Sequence, residues 1–403
     1  MKKQRYIKKT IIGISLPVFI MGLVSFFTDI SSETIQSILP LFIFEIGGSG
    51  LILGLISGVS DAIANVLKGI TGWLSDKINR RKPFVVFGYS ISNLSKPFIG
   101  FSPSWEVILA LKATDRVGKG LRTSSRDTLI SYYAQKKGRA FGIHRAMDTL
   151  GAVIGSFTAV ILLFLNWSYR NIIFFTIFPG IIAIILILFI KDVSTHPDQT
   201  QTEIRKVKYN QVDKRFIKLI IILGVIEFAS LDISFLIIRA ADFIPINLIF
   251  LIPLLYAMMN IIYAILSPIT GSLSDKIGRK PVILIGLALL FTSCIILALS
   301  FTISLFSIML ITMIYLIYGF YMASVDPISR AYIADLVGKE KRGRAYGYYY
   351  FSVGFISMAE SVIFGLIYDT FSAFWAFIYI SIILGFCMII FAFTDFSKIL
   401  KKD

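Results

Sequence analysis

The sequence predicts an all-α integral membrane protein with twelve transmembrane helices in two related halves. Three observations predict this fold class: the composition, the length of the apolar runs, and a repeat of first-half motifs in the second half. Of the 403 residues, 56% are hydrophobic and only 16% are charged, whereas soluble domains carry about 25% charged residues. With a mean hydropathy of +0.79, the chain is excluded from the soluble and disordered classes.

Twelve segments approach the roughly 20 apolar residues that a spanning helix needs. They are predicted at residues 11–44, 51–74, 83–102, 105–131, 140–165, 169–190, 216–239, 246–270, 281–300, 304–333, 344–367 and 372–394. Span 1 is too long for one perpendicular crossing and too short for two, so we expect one tilted helix with Pro17 and Pro40 near its ends. The polar stretch 191–215 is the predicted cytoplasmic linker. It separates an N-terminal six-helix bundle at 1–190 from a C-terminal one at 216–403.

The net charge of +16 follows the predicted topology. Of the 40 Lys and Arg residues, 28 fall in segments on one side of the spans, two (Arg170 and Arg239) fall on the other, and ten lie within spans. Cytoplasmic loops are enriched in Lys and Arg, so both termini are expected in the cytoplasm and the protein in the cell membrane. The excess also suits contact with anionic lipid headgroups, and it gives no support for nucleic-acid binding.

Three motifs recur at a nearly constant offset. The 2/3 loop reads GWLSDKINRRKP from Gly72, and the 8/9 loop reads GSLSDKIGRKP from Gly271. The tripeptide Asp-Ile-Ser begins at Asp29 in span 1 and at Asp232 in span 7, and GRAFG before span 5 recurs as GRAYG before span 11. Matches at the same relative positions indicate a duplicated six-helix unit.

These loops carry a family resemblance. The loops after spans 2 and 8 resemble the conserved GxLxDxxGRxxP loop of the major facilitator superfamily, and Arg116-x-x-x-Gly120 in span 4 is similar to its RxxxG element. The resemblance implies two pseudo-symmetric bundles around a central cavity that opens alternately to the two sides. Asn79 replaces the usual loop glycine in the first copy, and span 5 lacks the Gly-Pro pair of many proton-coupled exporters.

The two loops are candidate gates. A carboxylate at the inner end of a helix can accept hydrogen bonds from a nearby Arg or from a neighbouring helix N-terminus, and so hold the halves together in one state. The resemblance supports this role for Asp76 and Arg80. The alternative is that the basic residues only fix the topology. The full set of candidate gating residues is Gly72, Asp76, Arg80, Arg81, Gly271, Asp275 and Arg279.

Charged residues inside spans are the strongest functional signal, because each is costly in the bilayer unless it is paired or faces water. Ten basic and ten acidic residues lie there, and the first half holds eight of the basic ones. At about 100° per residue, Asp115, Lys119, Arg122 and Arg126 form one stripe on span 4, which should face the cavity or another helix. The candidates for proton coupling and cavity charge are Asp29, Glu33, Asp61, Arg116, Lys119, Glu227, Asp232 and Glu360.

Moving a buried carboxyl relative to a basic neighbour changes its protonation, so Asp29 and Glu33 are the preferred proton or cation sites. Arg116 and Lys119 are their expected partners or anion-binding groups. The alternative is that these residues form permanent structural pairs. A predicted cytoplasmic-side charge network comprises Arg122, Arg126, Asp127, Arg145, Asp148, Asp326 and Arg330. His144 is expected to be a hydrogen-bonded structural residue, with pH sensing as the alternative.

The sequence favours a secondary active transporter, since no GxxxxGK[ST] loop is present to use ATP. Proton-coupled efflux of drug-like compounds is favoured on family frequency alone, and the alternative is uptake or exchange of an anionic, carboxylate-bearing solute. A non-transporting sensor or scaffold is a remote third possibility. We expect no catalytic activity, cofactor or metal site, and a monomer whose partners are a small-molecule substrate, protons and lipid.

Overall fold

A computed structural model of the chain describes residues 10–11, 13–78, 80–134, 136–192, 224–299, 303–336 and 342–394. Within this part helices occupy all twelve predicted spans, which confirms the all-α fold. Nine of the described helices are long and apolar enough to cross a membrane. The described helices of the other three spans do not meet this criterion. The helix of span 3 has only 17 residues, that of span 4 is rich in charged residues, and that of span 7 has nine residues.

The helices of the N-terminal half pair span 1 with span 5, span 3 with span 4, and span 2 with span 4. Spans 1 and 6 are each built from two helices. The bounds are Leu16–Gln36 and Leu39–Glu45 for span 1, Gly50–Ile78 for span 2, Lys82–Phe98 for span 3, Trp105–Tyr133 for span 4, Lys137–Phe164 for span 5, and Tyr169–Phe175 and Ile177–Leu188 for span 6.

In the C-terminal half, span 10 packs on both span 8 and span 9, and span 9 packs on span 12. The bounds are Ile233–Ala241 for span 7, preceded by helical residues 224–228, Leu251–Ile277 for span 8, Arg279–Ala298 for span 9, Leu305–Leu336 for span 10, Arg342–Thr370 for span 11, and Ala373–Phe393 for span 12. Of the predicted linker, only Lys191 and Asp192 lie within the described residues.

Span 1 differs from the expected uninterrupted helix. It breaks between Gln36 and Leu39, since Pro40 in the first turn of the second helix has no N–H to continue the ladder. Its predicted start at residue 11 is wrong: Thr10–Ile11 pairs with Ile14–Ser15 as a short antiparallel hairpin. Gly13 turns this hairpin with φ = +75°, and Pro17 fixes the first helical turn after it.

The two ends of the molecule differ in how the halves meet. We call them the inner and outer ends, after the sides that the charge pattern predicts to be cytoplasmic and external. At the outer end one hydrophobic core joins side chains of both halves, for example Phe42 and Leu53 with Phe235 and Phe243. A second core at the inner end contains N-half residues alone, such as Val18. The described cores therefore join the halves at the outer end.

Spans 2 and 11 are in contact along much of their length. Gly50 lies against Gly365 at the outer end, and the Lys68 ammonium lies 5.1 Å from the Tyr350 ring centroid towards the inner end. Spans 5 and 8 also meet across the halves, and an edge-to-face pair joins Phe164 to Phe250 at their outer side.

Large apolar side chains also cover the outside of the helix bundle. Phe87, Phe164, Phe178 and Phe386 are each at least 60% exposed. Soluble monomers rarely expose extended apolar patches, so these side chains are placed to contact lipid.

Candidate functional site

A polar cavity lies between the two halves, and it has two connected compartments. The first has a volume of about 280 Å³ and is lined by spans 1, 2, 4, 7, 10 and 11. The second has a volume of about 220 Å³ and is lined chiefly by spans 1 and 4. Gln36, Asp61, Lys112, Arg116 and Ile233 line both. The Asp61 side chain is 53% exposed although it lies mid-span, so solvent reaches the cavity.

Span 4 supplies the basic wall of the cavity. Lys112 and Arg116 line both compartments, and Lys119 and Arg122 line the second together with Asp115. Their spacing places them on one helix face, so the predicted charged stripe on span 4 does face the cavity as far as Arg122. Such a stripe is tolerated in a membrane because it faces water and other charges.

Arg116 is held loosely by its acidic neighbours. Its Nε lies 3.9 Å from Asp61 and 3.9 Å from Asp115, and this nitrogen is buried with no hydrogen-bond partner. Asp115 is held more closely, since the Ser92 hydroxyl donates to it at 2.5 Å. The Lys112 ammonium donates to the Gln36 side chain at 3.1 Å. The guanidinium of Arg116 therefore keeps an unused donor beside the cavity.

Span 1 brings Asp29, Glu33 and Gln36, which are spaced three or four residues apart, to the second compartment. The Glu33 carboxylate accepts a hydrogen bond of 2.6 Å from the Tyr256 hydroxyl of span 8. This bond joins the two halves through a candidate proton site. Sequence analysis did not identify Tyr256, because periodicity within one helix does not show which residue of another half faces it.

Lys96 of span 3 is a second residue that sequence analysis did not place in the site. Its side chain is only 2% exposed, and its ammonium donates to the Ser32 hydroxyl at 3.0 Å and to the Thr28 carbonyl at 3.3 Å. It lines the second compartment with Asp29. Its position as a Lys within an apolar span was the available signal.

The C-half supplies an acidic wall to the first compartment, formed by Glu227, Asp232, Asp326 and Glu360. Asp232 accepts the Ser234 main-chain N–H at 2.7 Å and so caps the span 7 helix. Glu360 is 1% exposed; one oxygen accepts from Ser361 at 3.1 Å, and the other has no hydrogen-bond partner. In the described part of the chain, no Lys or Arg nitrogen lies within 4.0 Å of the Glu227, Asp232 or Glu360 carboxylate oxygens.

The predicted cytoplasmic-side charge network divides between the halves. In the N-half, Arg126 pairs with Asp127 at 2.9 Å, and Asp148 lies 3.6 Å from His144 Nδ1. Arg145 is exposed, and Arg122 lies over the Tyr89 ring. In the C-half, Arg330 donates to the main-chain oxygen of Asp326 at 3.1 Å, one helical turn away.

His144 is buried with 4% exposure. Its Nε2 lies 3.0 Å from the Ser25 hydroxyl, which also lies 3.0 Å from the Tyr89 hydroxyl. These partners on spans 1 and 3 hold the imidazole in place, and they favour the structural interpretation over pH sensing.

The second candidate gating loop keeps the expected backbone turn. Gly278 has φ = +96°, in the left-handed region that suits glycine. Arg279 pairs with Asp275 at 2.5 Å and donates to the Ser274 hydroxyl at 2.7 Å, while Gly271 has open space at its Cβ position.

The first gating loop is described only in part. Asn79 and the side-chain positions of Gly72 and Asp76 lie outside the described residues. Arg80 is exposed, and the Arg81 and Lys82 main-chain N–H groups donate to Asp192 at 3.2 and 2.9 Å. Asp192 thereby caps the span 3 helix, a contact that sequence analysis did not identify.

An inter-half contact also lies at the outer end. The main-chain N–H groups of Gly50 and Leu51, at the start of span 2, donate to the two carboxylate oxygens of Asp369, each at 2.7 Å. Asp369 lies in the last turn of span 11, and its negative charge meets the positive end of a helix in the other half. This contact stabilises the closed outer end.

Asp369→Asn is therefore expected to weaken outer closure by about 1–2 kcal/mol, a factor of about 5–30 in the closed-to-open ratio. The measurement is the labelling rate of Ser357→Cys, which lines the first compartment, by a membrane-impermeant thiol reagent added on the outside. The two native cysteines, Cys294 and Cys387, are buried. Glu45→Gln, an exposed outer-end substitution, is the control. An unchanged labelling rate would refute a closing role for Asp369.

No group of three or more His, Cys, Asp or Glu side chains is arranged to hold a metal ion within the described residues. The site is instead a set of opposed charges, donors and acceptors around a solvent-reached cavity.

The comparisons with known proteins agree with this architecture. The family model described as Major Facilitator Superfamily matches residues 21–252 and 249–398. An uncharacterized MFS-type transporter of Methanocaldococcus jannaschii is 35% identical over 362 residues, which is 88% of this chain and 89% of the relative. An uncharacterized protein of Mycobacterium bovis is 26% identical over 87% of this chain and 86% of its own length.

Solved transporter structures share the fold at low identity. The nucleoside transporter NupG has a TM-score of 0.78 at 14% identity, covering 93% of this chain and 99% of its own. A POT family transporter has a TM-score of 0.80 at 11% identity, with full coverage of both chains. A bacterial homologue of the lysosomal transporter Spinster has a TM-score of 0.72 at 14% identity, over 93% and 95%. With its family model matched across both halves, the chain belongs to the major facilitator superfamily.

Proposed function

We propose that this protein is a secondary active transporter that moves a small polar organic solute by alternating access and couples that movement to protons. The observation that carries the proposal is the solvent-reached cavity between the halves, lined by charges from both. A transport site must be reachable from one side while the other is closed, and the shared outer core meets the second requirement.

The lining favours a polar solute. Nine of the fourteen residues lining the second compartment are Asp, Glu, Lys or Arg. Pockets for lipophilic ligands are lined mostly by apolar and aromatic side chains. Efflux of drug-like compounds therefore stays a prediction from family frequency, and a polar, charge-bearing solute fits this cavity better.

Proton coupling is proposed at Glu33, with Asp29 beside it in the same compartment. A carboxylate accepts a stronger hydrogen bond than a protonated carboxyl group does, so protonation of Glu33 weakens its bond to Tyr256. Because that bond joins span 1 to span 8, the protonation state of one side chain is linked to the relative position of the two halves.

The test uses purified protein in liposomes with a pH-sensitive dye inside, and a defined panel of amines, carboxylates, amino acids and dipeptides as solutes. With the native chain, at least one solute is expected to move protons when it is added. Glu33→Gln keeps the amide oxygen as an acceptor for Tyr256 but cannot be protonated, so it should abolish accumulation driven by a pH gradient and retain solute exchange.

Tyr256→Phe keeps the Glu33 carboxylate but removes the bond that links its protonation to the position of the halves, so it should reduce accumulation driven by a pH gradient while retaining solute exchange. Glu45→Gln, outside the cavity, should behave as the native chain. Normal pH-driven accumulation by Glu33→Gln would exclude Glu33 as the proton site, and transport of no solute from any class would contradict the transport proposal itself.

Uptake or exchange of an anionic solute is the second candidate. The specific observation in its favour is the unused Nε–H donor of Arg116, next to Lys112 on the same helix face. For either solute we propose that the protein acts as a monomer in the cell membrane, with both termini in the cytoplasm and its basic loops against anionic lipid.

A further inference from the structure

We propose that the transported solute is zwitterionic, with its anionic group bound by Arg116 and Lys112 of span 4 and its ammonium group bound by Glu360 and Asp232 across the cavity. This inference rests on the proposed transport function and specifies the substrate class of the same cavity.

The first step is the separation of charge between the walls. Among the described residues lining the first compartment, every Lys and Arg belongs to the N-half, namely Lys112 and Arg116. The C-half contributes four carboxyl groups and no basic residue to that lining. The remaining acid, Asp61, is on the N-half side and lies 3.9 Å from Arg116. The solute therefore meets a basic surface on one side and an acidic surface on the other.

The second step concerns the hydrogen bonding of the charged groups on these walls. Arg116 Nε and one carboxylate oxygen of Glu360 are both buried without a hydrogen-bond partner. An unsatisfied buried polar group costs free energy, and the cost is larger for a charged group. An anionic group is an acceptor for the first and an ammonium group is a donor for the second. A solute that carries both charges satisfies the two together.

The third step concerns ion pairing between the two walls. The Glu33–Tyr256 and Asp369–Gly50 bonds join the halves outside the first compartment. In the described part of the chain no ion pair crosses between span 4 and the carboxyls of spans 7 and 11. A bridging zwitterion supplies that missing link, so its binding draws the basic and acidic walls together.

The test compares matched probes on the purified full-length protein. The probes are unbranched ω-amino carboxylates of three to eight carbons, each paired with the alkylamine and the carboxylate of the same carbon number. Binding is measured by titration calorimetry and by the shift in the thermal unfolding midpoint. We expect one or more zwitterions to bind about tenfold or more tighter than both singly charged partners.

Two variants weaken the two proposed contacts separately. Glu360→Gln should lower the affinity for the zwitterion towards that for its matched carboxylate, with Asp232 still present, and leave carboxylate binding unchanged. Arg116→Gln should lower it towards that for the matched amine, with Lys112 still present. Glu45→Gln, which lies outside the cavity, is the control for a Glu-to-Gln change and should keep the native preference.

Equal binding of the amine and the zwitterion would overturn the proposal in favour of a cationic solute, and equal binding of the carboxylate would overturn it in favour of an anionic one. Absence of any zwitterion preference across the series would also overturn it. Transport of a singly charged solute in liposomes, together with any of these results, would leave the transport function standing and remove only the zwitterion assignment.

Discussion

Gly54→Val is expected to abolish transport by preventing closure of the outer end. A Cβ atom at Gly54 would lie 2.1 Å from the main-chain oxygen of Ser361, far inside van der Waals contact, and that oxygen cannot move without the span 11 helix. Gly365 of span 11 lies equally close to span 2, since a Cβ atom at Gly365 would lie 2.2 Å from the main-chain oxygen of Gly50. Overpacking costs about 1–3 kcal/mol or more, so the added isopropyl group should displace the closed state in favour of an outer-open one.

The measurement is solute exchange in liposomes together with outside labelling of Ser357→Cys, which should rise as transport falls. Gly142→Ala in span 5 is the matched control, since nothing lies within 4 Å of its Cβ position. Normal exchange by Gly54→Val would mean that spans 2 and 11 separate at their outer ends without loss of function. A loss of folded protein is distinguished by size-exclusion chromatography of the same sample.

Helical periodicity was sufficient to predict the cavity-facing side of span 4 as far as Arg122, although the predicted stripe also included Arg126. Asp115, Lys119 and Arg122 line the cavity, because a charged face in a membrane must avoid lipid, and Asp29 and Glu33 of span 1 line it as well. The span count was predictable for a related reason, since a helix must satisfy its own backbone in the bilayer.

Contacts between segments far apart in the chain could not be predicted in this way. Periodicity shows which side of a helix is polar but not which residue of another helix lies opposite. The Tyr256–Glu33 bond, the Asp369 cap on span 2, and the Asp192 cap on span 3 all join residues more than 100 positions apart.

Asp115→Asn is the substitution expected to cost the most stability. Asp115 is 5% exposed, accepts from Ser92 at 2.5 Å and lies beside Arg116. The second compartment is lined by five basic and four acidic residues, so loss of this carboxylate increases an uncompensated positive charge. Removing one partner of a buried ion pair costs about 3–5 kcal/mol.

Asp61→Asn separates the effect of burial from the effect of charge. Asp61 and Asp115 both lie 3.9 Å from Arg116 Nε, but their side chains are 53% and 7% exposed. Water screens an exposed pair, which contributes about 0–1 kcal/mol, so Asp61→Asn should lower the free energy of unfolding far less. The measurement is denaturant unfolding of both variants in mixed micelles. Similar losses of unfolding free energy in the two variants would show that the distance to Arg116, and not desolvation, determines the stability of this cluster. The expected difference would instead make Asp115 a fixed structural counter-charge and leave Asp61 available to the solute.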